Sequence, residues 1–213
     1  MSLLDKNKAL KLIKLLNETI KNPKTSLKYR NKFTLLTSVV LSAQCTDVNV
    51  NNVTRTIYKK YYTPKHFADL GINKIRNLIR SIGLFNNKAK NLYYLSKILL
   101  EKYQSKIPNK FEELILLPGV GRKTANVVLN AAFNKPTIAV DTHVFRVGNR
   151  TGLSNGKNPE QVESQLLKIL PTKHLKKAHH LILLHGRYTC KARNPLCKEC
   201  VINKVCRYKG KNE

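Results

Sequence analysis

Four of the five cysteines lie close together near the C-terminus, in the pattern Cys190-x6-Cys197-x2-Cys200-x5-Cys206. An odd number of cysteines without a secretory signal argues against a disulfide framework and favours metal ligation. Structural zinc sites commonly use two C-x2-C pairs, whereas here one central pair is flanked by single cysteines. The spacing therefore favours an iron–sulfur cluster bound by four thiolates, with zinc as the alternative. Cys45 lies far away in sequence and is interpreted as an unremarkable thiol.

A glycine-rich turn, Leu117–Gly121 (LPGVG), joins two predicted helices, the second of which begins near Arg122. Glycine permits positive φ and leaves no Cβ in the way of a ligand, and N–H groups at a helix start can hold a phosphate. Gly119, Val120, Gly121 and Arg122 are therefore candidate phosphate-binding residues. An ordinary helix–helix turn would also use glycine, so the turn alone leaves both interpretations open.

Lys123 lies in the first turn of the second helix, where the helix macrodipole disfavours a cation. The neighbouring Arg122 disfavours the ammonium form further. Both effects favour the neutral amine, which is the form that acts as a nucleophile. The alternative is a surface lysine that binds phosphate.

Asp141 directly follows the apolar run Ile138–Val140 and is expected to lie at the edge of a core. A fixed carboxylate there can stabilise the oxocarbenium-like state formed when a glycosidic bond breaks. Asp141 can equally be the N-cap of a helix over 144–150. The two roles are compatible.

Apolar residues recur at helical spacing along almost the whole chain, which predicts an all-α fold. Residues 33–43 are apolar nearly all round and predict a buried helix, and Asp47 is expected to cap the next one. Only Thr137–Val140 resembles a strand. Four histidines between residues 174 and 185 are expected on a helix with a partly buried face, not at a metal site.

The formal net charge is +28, which favours a polyanionic partner such as DNA or RNA. Lysine and asparagine are plentiful, so part of this charge can reflect AT-rich coding. The chain has no apolar run long enough to span a membrane, and its first residues predict an amphipathic helix instead of a signal peptide. We therefore expect a cytoplasmic, nucleoid-associated protein that does not bind membranes.

Three segments together closely resemble the endonuclease III family of DNA glycosylases: Leu117–Asn130 (LPGVGRKTANVVLN), Ile138–Arg150 (IAVDTHVFRVGNR) and the cysteine loop. The resemblance extends over essentially the whole chain. It implies that the turn is a helix–hairpin–helix element. It also implies that Lys123 is the nucleophile, Asp141 the essential carboxylate, and the four cysteines the ligands of a [4Fe–4S] cluster.

The same resemblance implies an architecture of two helical lobes with DNA in the cleft between them. A six-helix barrel would span residues 25–135, and residues 1–24 would join 136–213 in the cluster lobe. Gln44 would enter the duplex where a damaged base leaves it, and Leu84 would wedge into the opposite strand. Lys191 and Arg193, in the cysteine loop, would contact DNA once the cluster orders that loop.

The activity implied is removal of oxidised pyrimidines from double-stranded DNA, followed by cleavage 3′ to the abasic site through a Schiff base on Lys123. The protein is expected to act as a monomer. Adenine-mismatch glycosylases share the fold and cluster but lack the lysine at this position and carry a further domain. A non-catalytic DNA-binding protein and an electron carrier are rivals of other classes. The lysine–aspartate pair argues against the first, and the charge and hairpin argue against the second.

Overall fold

The computed structural model of the protein describes residues 2–212. In this part of the chain the regular structure consists of ten α-helices and one short 3-10 segment, without a β-strand, which confirms the all-α prediction. None of these helices is both long enough and apolar enough to cross a bilayer. The helices are α1 (Lys6–Thr19), α2 (Lys32–Leu41), α3 (Asp47–Lys60), α4 (Pro64–Leu78), α5 (Phe85–Tyr103), α6 (Phe111–Leu114), α7 (Arg122–Phe133), α8 (Thr142–Thr151), α9 (Pro159–Ile169) and α10 (Thr172–Tyr188).

One compact unit, Ser26–Phe133, contains α2 to α7. Helix α2 lies in its middle, and every residue from Phe33 to Leu41 is buried, as the all-round apolar pattern predicts. Asn31 caps this helix in a reciprocal capping box with Thr34. The core that buries α2 also contains apolar side chains from each of the other five helices of the unit.

Helices α4 and α5 pack against each other through apolar faces in the same unit. Helix α4 contains a break at Gly71, whose φ of +69° is favourable only for glycine. The apolar stripe Ile72, Ile75, Ile79 and Ile82 runs past the end of α4, because its last members lie in the turn that leads to α5. Three of the stripe positions, Ile75, Ile79 and Ile82, are fully buried.

The second compact unit comprises the described residues of Met1–Thr25 and Asn134–Glu213, with helices α1 and α8 to α10. Helix α1, the amphipathic helix predicted at the start of the chain, buries Ala9, Leu12, Ile13 and Leu16, which recur at helical spacing on one face. Helices α8 and α10 approach closely because Gly186 has no side chain. A Cβ there would lie 2.9 Å from that of His143 and 3.0 Å from Val147.

Two local expectations need correction. The N-cap of α3 is Thr46, whose hydroxyl accepts a hydrogen bond from the Asn49 N–H, and Asp47 is the first helical residue. Thr and Asp both cap helices, and adjacent candidates cannot be ranked from the sequence. The strand-like Thr137–Val140 is an irregular segment that buries Ile138 and Val140 in the core of the second unit.

The buried His180 of α10 predicts an acid-sensitive fold. Burial lowers its pKa from 6.5 to about 4, so the folded state disfavours the proton that the unfolded chain accepts. Stability from this group is present above pH 6.5 and is lost as the pH falls towards 4. The free energy of unfolding of the wild type should fall between pH 7.5 and pH 5. That of His180→Leu should fall by about 2 kcal/mol less, at 1.36 kcal/mol per pH unit. Urea unfolding at both pH values measures this, and identical losses in the two proteins would contradict it.

Candidate active site

The glycine-rich turn forms a tight hairpin between α6 and α7. The N–H of Leu117 donates to the carbonyl of Leu114 at 3.1 Å, and the N–H of Val120 donates to that of Leu117 at 3.0 Å. Val120 is buried in the core of the unit, whereas Gly121 is exposed. Helix α7 begins at Arg122, as predicted, and its guanidinium lies 5.2 Å from the ring centre of Phe111 across the hairpin. The two helices are therefore fixed through the turn, and its outer backbone remains accessible.

The two glycines of the turn have different tasks. Gly119 has a φ of +79°, and a Cβ added to it would lie 2.9 to 3.2 Å from three atoms of the Asn91 side chain. A Cβ added to Gly121 would meet nothing within 4 Å. Gly119 is therefore required by the fold, and Gly121 leaves open space on the exposed side of the hairpin.

This difference predicts opposite outcomes for two alanine substitutions. Gly119→Ala should lower the free energy of unfolding by about 2 kcal/mol, because alanine is strained at positive φ and would also displace Asn91. Gly121→Ala should change it by less than about 0.5 kcal/mol. If DNA phosphate lies against this backbone, Gly121→Ala should nevertheless weaken DNA binding. Urea unfolding and fluorescence anisotropy of labelled duplex measure the two effects, and equal stability of the two variants would contradict the assignment.

Lys123 is the second residue of α7, and its side chain is exposed. No carboxylate among the described residues forms an ion pair with it. Two polar residues that follow it along α7 at helical spacing, Asn126 and Asn130, are buried. Lys123 thus stands at the accessible end of a helix whose remainder is fixed in the core, with its amine free to meet a ligand.

Asp141 is the N-cap of α8. Its Oδ1 accepts a hydrogen bond from the N–H of Val144 at 2.8 Å, and the side chain is half-buried. Its second oxygen accepts no hydrogen bond from the described residues, so a carboxylate lone pair remains for another group. Asp141 is therefore the N-cap that its sequence position allows. Its second carboxylate oxygen remains available for chemistry.

Helix α8 is tied to the first cysteine of the C-terminal loop by Arg146. Its Nε donates to the carbonyl of Cys190 at 3.0 Å, and its Nη2 donates to the carbonyl of Gly186 at 2.8 Å. The same nitrogen lies 3.1 Å from Nδ1 of His143. The position of Asp141 at the start of α8 is thereby coupled to the start of the cysteine loop.

The cysteine loop is held by cations. Arg150 donates to the carbonyls of Lys191 at 2.6 Å and Ala192 at 3.0 Å, and it lies 3.8 Å from Sγ of Cys190. These bonds fix the backbone of the segment that carries Lys191 and Arg193, whose side chains are both exposed. Lys211 donates to the carbonyl of Cys206 at 2.8 Å and closes the far end of the loop.

The donor set of this loop fits a thiolate-bound metal centre. All four thiols are free, and burial raises the pKa of Cys200 and of Cys206, with the nearby cysteines contributing. The N–H of Tyr208 points at Sγ of Cys206 at 3.5 Å, a contact that favours thiolate. In residues 2–212 no three His, Cys, Asp or Glu side chains form a ready metal-holding group.

The histidines of α10 are packing residues. His179, His180 and His185 are buried, and the rings of the first two pack edge to face with centres 4.6 Å apart. His185 Nε2 lies 3.7 Å from Sγ of Cys200, so this ring lines the cysteine loop. Burial lowers the pKa of His185 to about 4, which keeps it neutral there.

Gln44 and Leu84 are both exposed residues in the left-handed region, with φ of +53° and +59°. That conformation costs a non-glycine residue about 1–2 kcal/mol and therefore needs support from its surroundings. Their turns lie side by side, since a Cβ on Gly83 would be 3.7 Å from the carbonyl oxygen of Gln44. Two exposed side chains thus project from adjacent turns whose backbone is strained.

Sequence reasoning missed Lys88, which is only 4% exposed. Its Nζ donates to the carbonyls of Leu41 at 2.9 Å and Ala43 at 2.6 Å, immediately before Gln44. The signal was present, because Lys88 precedes Leu92, Leu95 and Leu99 at the i, i+4, i+7, i+11 positions of a buried helix face. A lysine in line with such a stripe has a buried partner or a ligand.

Comparison with known proteins places the chain in a family. Residues 37–172 match the model of the HhH-GPD superfamily base excision DNA repair proteins. Endonuclease III of Rickettsia conorii is 54% identical over 93% of this chain and 94% of its own length, and that of Escherichia coli K12 is 49% identical over 98% and 99%. A solved structure of a trapped covalent intermediate of endonuclease III with DNA is 42% identical. It superposes with a TM-score of 0.90 over 96% of this chain and 97% of that one.

These likenesses extend over nearly the full length of the chain and confirm the family inferred from its three motifs. The chain belongs to the endonuclease III family of the HhH-GPD superfamily and is an enzyme of base excision repair, a DNA glycosylase with abasic-site lyase activity.

Proposed function

We propose that the enzyme removes oxidised pyrimidines from double-stranded DNA and then cuts the strand through a Schiff base on Lys123. The observation that carries this proposal is the exposed, ion-pair-free amine of Lys123 at the start of α7, beside the open backbone of Gly121. Gly119, Gly121 and Arg122 would bind the phosphates on either side of the lesion, whereas Val120, whose side chain is buried and whose N–H donates to Leu117, would hold the turn together. Lys191 and Arg193 would add contacts from the cysteine loop.

The chemistry follows from the two side chains. The damaged nucleotide is extruded from the stack, and the neutral amine of Lys123 attacks C1′ of its sugar. The C1′–N bond breaks, and its electron pair leaves with the base, which takes up a proton. The carboxylate of Asp141 stabilises the positive charge that develops on the sugar ring during this step.

Strand cleavage uses the same covalent bond. The sugar ring opens to give a Schiff base between Lys123 and C1′. Loss of a proton from C2′ expels the 3′ phosphate with the electron pair of the C3′–O bond, which is a β-elimination. Water then hydrolyses the imine, and the lysine amine is regenerated.

The test of this function is covalent trapping on a defined lesion. With a thymine-glycol duplex and borohydride, the imine should be reduced to a stable protein–DNA complex, and peptide mapping should place the DNA on Lys123. Strand cleavage without a trapped complex, or DNA mapped to another residue, would overturn the assignment of the Schiff base to Lys123.

We further propose that Cys190, Cys197, Cys200 and Cys206 hold a [4Fe–4S] cluster. Four free thiols in one loop, N–H and guanidinium groups directed at two of the sulfurs, and membership of the endonuclease III family support this. The cluster would fix the loop and so the positions of Lys191 and Arg193. The enzyme would act as a monomer on chromosomal DNA in the cytoplasm.

A cluster bound by the four cysteines predicts that the order of the loop depends on bound iron. Freshly purified protein should be yellow-brown with about four irons per chain. Cys200→Ser should lose iron and weaken duplex binding, because the loop cations would no longer be fixed. Metal analysis and visible absorption measure this, and stoichiometric zinc without iron would establish the alternative site.

A further inference from the structure

Lys88 is a buried cation on α5 that serves neither the hairpin nor the cysteine loop. Burial lowers its pKa, an effect that the neighbouring Cys45 partly offsets. No carboxylate among the described residues forms an ion pair with it. Its amine is directed instead at the backbone that leaves α2, so its partners are helix-terminal carbonyls.

The two acceptors fix the path of the chain into Gln44. Leu41 is the last residue of α2, and Ala43 directly precedes Gln44. A cation that binds carbonyls at a helix C-terminus satisfies otherwise unpaired acceptors and interacts favourably with the helix dipole. Since the carbonyls of residues 41 and 43 are bound to one amine, the turn between them has little freedom, and Gln44 is kept at its φ of +53°.

The turn that contains Leu84 is connected both to Lys88 and to the turn that contains Gln44. Lys88 lies one helical turn after Leu84, and the N–H of Lys88 donates to the carbonyl of Leu84 at 3.1 Å. The side-chain amide of Asn49 donates to the carbonyl of Ser81 at 3.2 Å and lies 3.3 Å from Sγ of Cys45. Lys88 and Asn49 therefore connect both turns, and Gln44 and Leu84 project from them as a pair.

We propose that Lys88 is a positioning residue for base extrusion, whose ammonium group clamps Leu41 and Ala43 so that Gln44 is presented to the duplex beside Leu84. This inference rests on the roles in DNA that the family resemblance implies for Gln44 and Leu84. Lys88 contacts no DNA in this scheme. It makes a strained conformation available before DNA binds, so that none of the binding free energy is spent on forming it.

The test separates extrusion from chemistry. Lys88→Met keeps the length of the side chain and removes its charge and donors, and Lys90→Met makes the same change at an exposed position two residues further along α5. Extrusion is followed by the fluorescence of 2-aminopurine next to a thymine glycol in a duplex. Single-turnover rates are measured on that duplex and on a duplex with a preformed abasic site, where no base has to be unstacked.

Lys88→Met should lose the fluorescence rise and slow thymine-glycol excision about 10- to 100-fold, since extruding a base costs a few kcal/mol. Cleavage of the abasic duplex should slow less than about threefold, and Lys88→Arg, which retains donors and charge, should recover part of the loss. Lys90→Met should behave like the wild type. Wild-type extrusion in Lys88→Met, or equal losses on both duplexes, would overturn the proposal.

Two further sets of variants keep the outcome decisive. If Lys88→Met does not fold, Asn49→Ala takes its place. Asn49→Ala should lose extrusion selectively, and unchanged extrusion in it would refute the clamp.

Gln44→Ala and Leu84→Ala are measured in parallel. If both extrude normally, the proposed DNA roles fail and the inference fails with them. If they lose extrusion while Lys88→Met does not, the clamp alone is wrong.

Discussion

Lys123→Gln should form no borohydride-trapped complex and should cut an abasic duplex at least about a thousandfold more slowly than the wild type, as expected when a covalent nucleophile is removed. Glutamine keeps a polar side chain of similar reach at the exposed start of α7, so the hairpin should remain folded. Binding of damaged duplex should weaken by less than about tenfold, because one cation among many phosphate contacts is lost. Gel trapping, strand cleavage and anisotropy measure the three effects.

Arg122→Gln is the matched control for this experiment. It removes an equal charge from the adjacent position, which is also exposed and whose guanidinium packs near Phe111. We expect this variant to bind duplex more weakly and still to be trapped at saturating DNA. Normal strand cleavage by Lys123→Gln would show that another amine forms the imine.

The parts of the fold that could be predicted are those in which one local sequence pattern dominates. The apolar stripe of α1 and the fully apolar segment of α2 gave both the presence and the buried faces of these helices. The motif around Gly119 likewise predicted a turn followed by a helix from Arg122. Each of these features depends on residues close together in sequence, which is why they could be read without the structure.

The parts that could not be predicted depend on contacts between distant residues. The position of Lys88 in the buried stripe of α5 predicts that it has a partner, but the partner is identified only when Leu41 and Ala43 are seen beside its amine. Gln44 and Leu84 were identified through the family resemblance, because no local rule places a glutamine or a leucine in the left-handed region. The asymmetry of Gly119 and Gly121 similarly depends on Asn91, which lies on another helix.

Asp141 combines a structural role with a chemical one, and these can be separated by a change of one functional group. Its Oδ1 caps α8 through the N–H of Val144. Asparagine caps helices as well as aspartate does, so Asp141→Asn should leave the fold intact. It nevertheless removes the negative charge that opposes the positive charge developing on the sugar as the base departs.

We therefore expect Asp141→Asn to slow thymine-glycol excision by about a hundredfold to a thousandfold, the usual loss when a preorganised electrostatic contact is removed. Cleavage of a preformed abasic site should slow less than about tenfold, because no glycosidic bond has to break before Lys123 forms its imine. Asp5→Asn is the matched control, since Asp5 caps α1 through the N–H of Lys8 at the same 2.8 Å distance, and it should leave both activities unchanged. Single-turnover rates on the two duplexes decide the matter. Equal losses of Asp141→Asn on both would mean that the carboxylate acts in imine formation or elimination, and unchanged excision would mean that Asp141 is a helix cap alone.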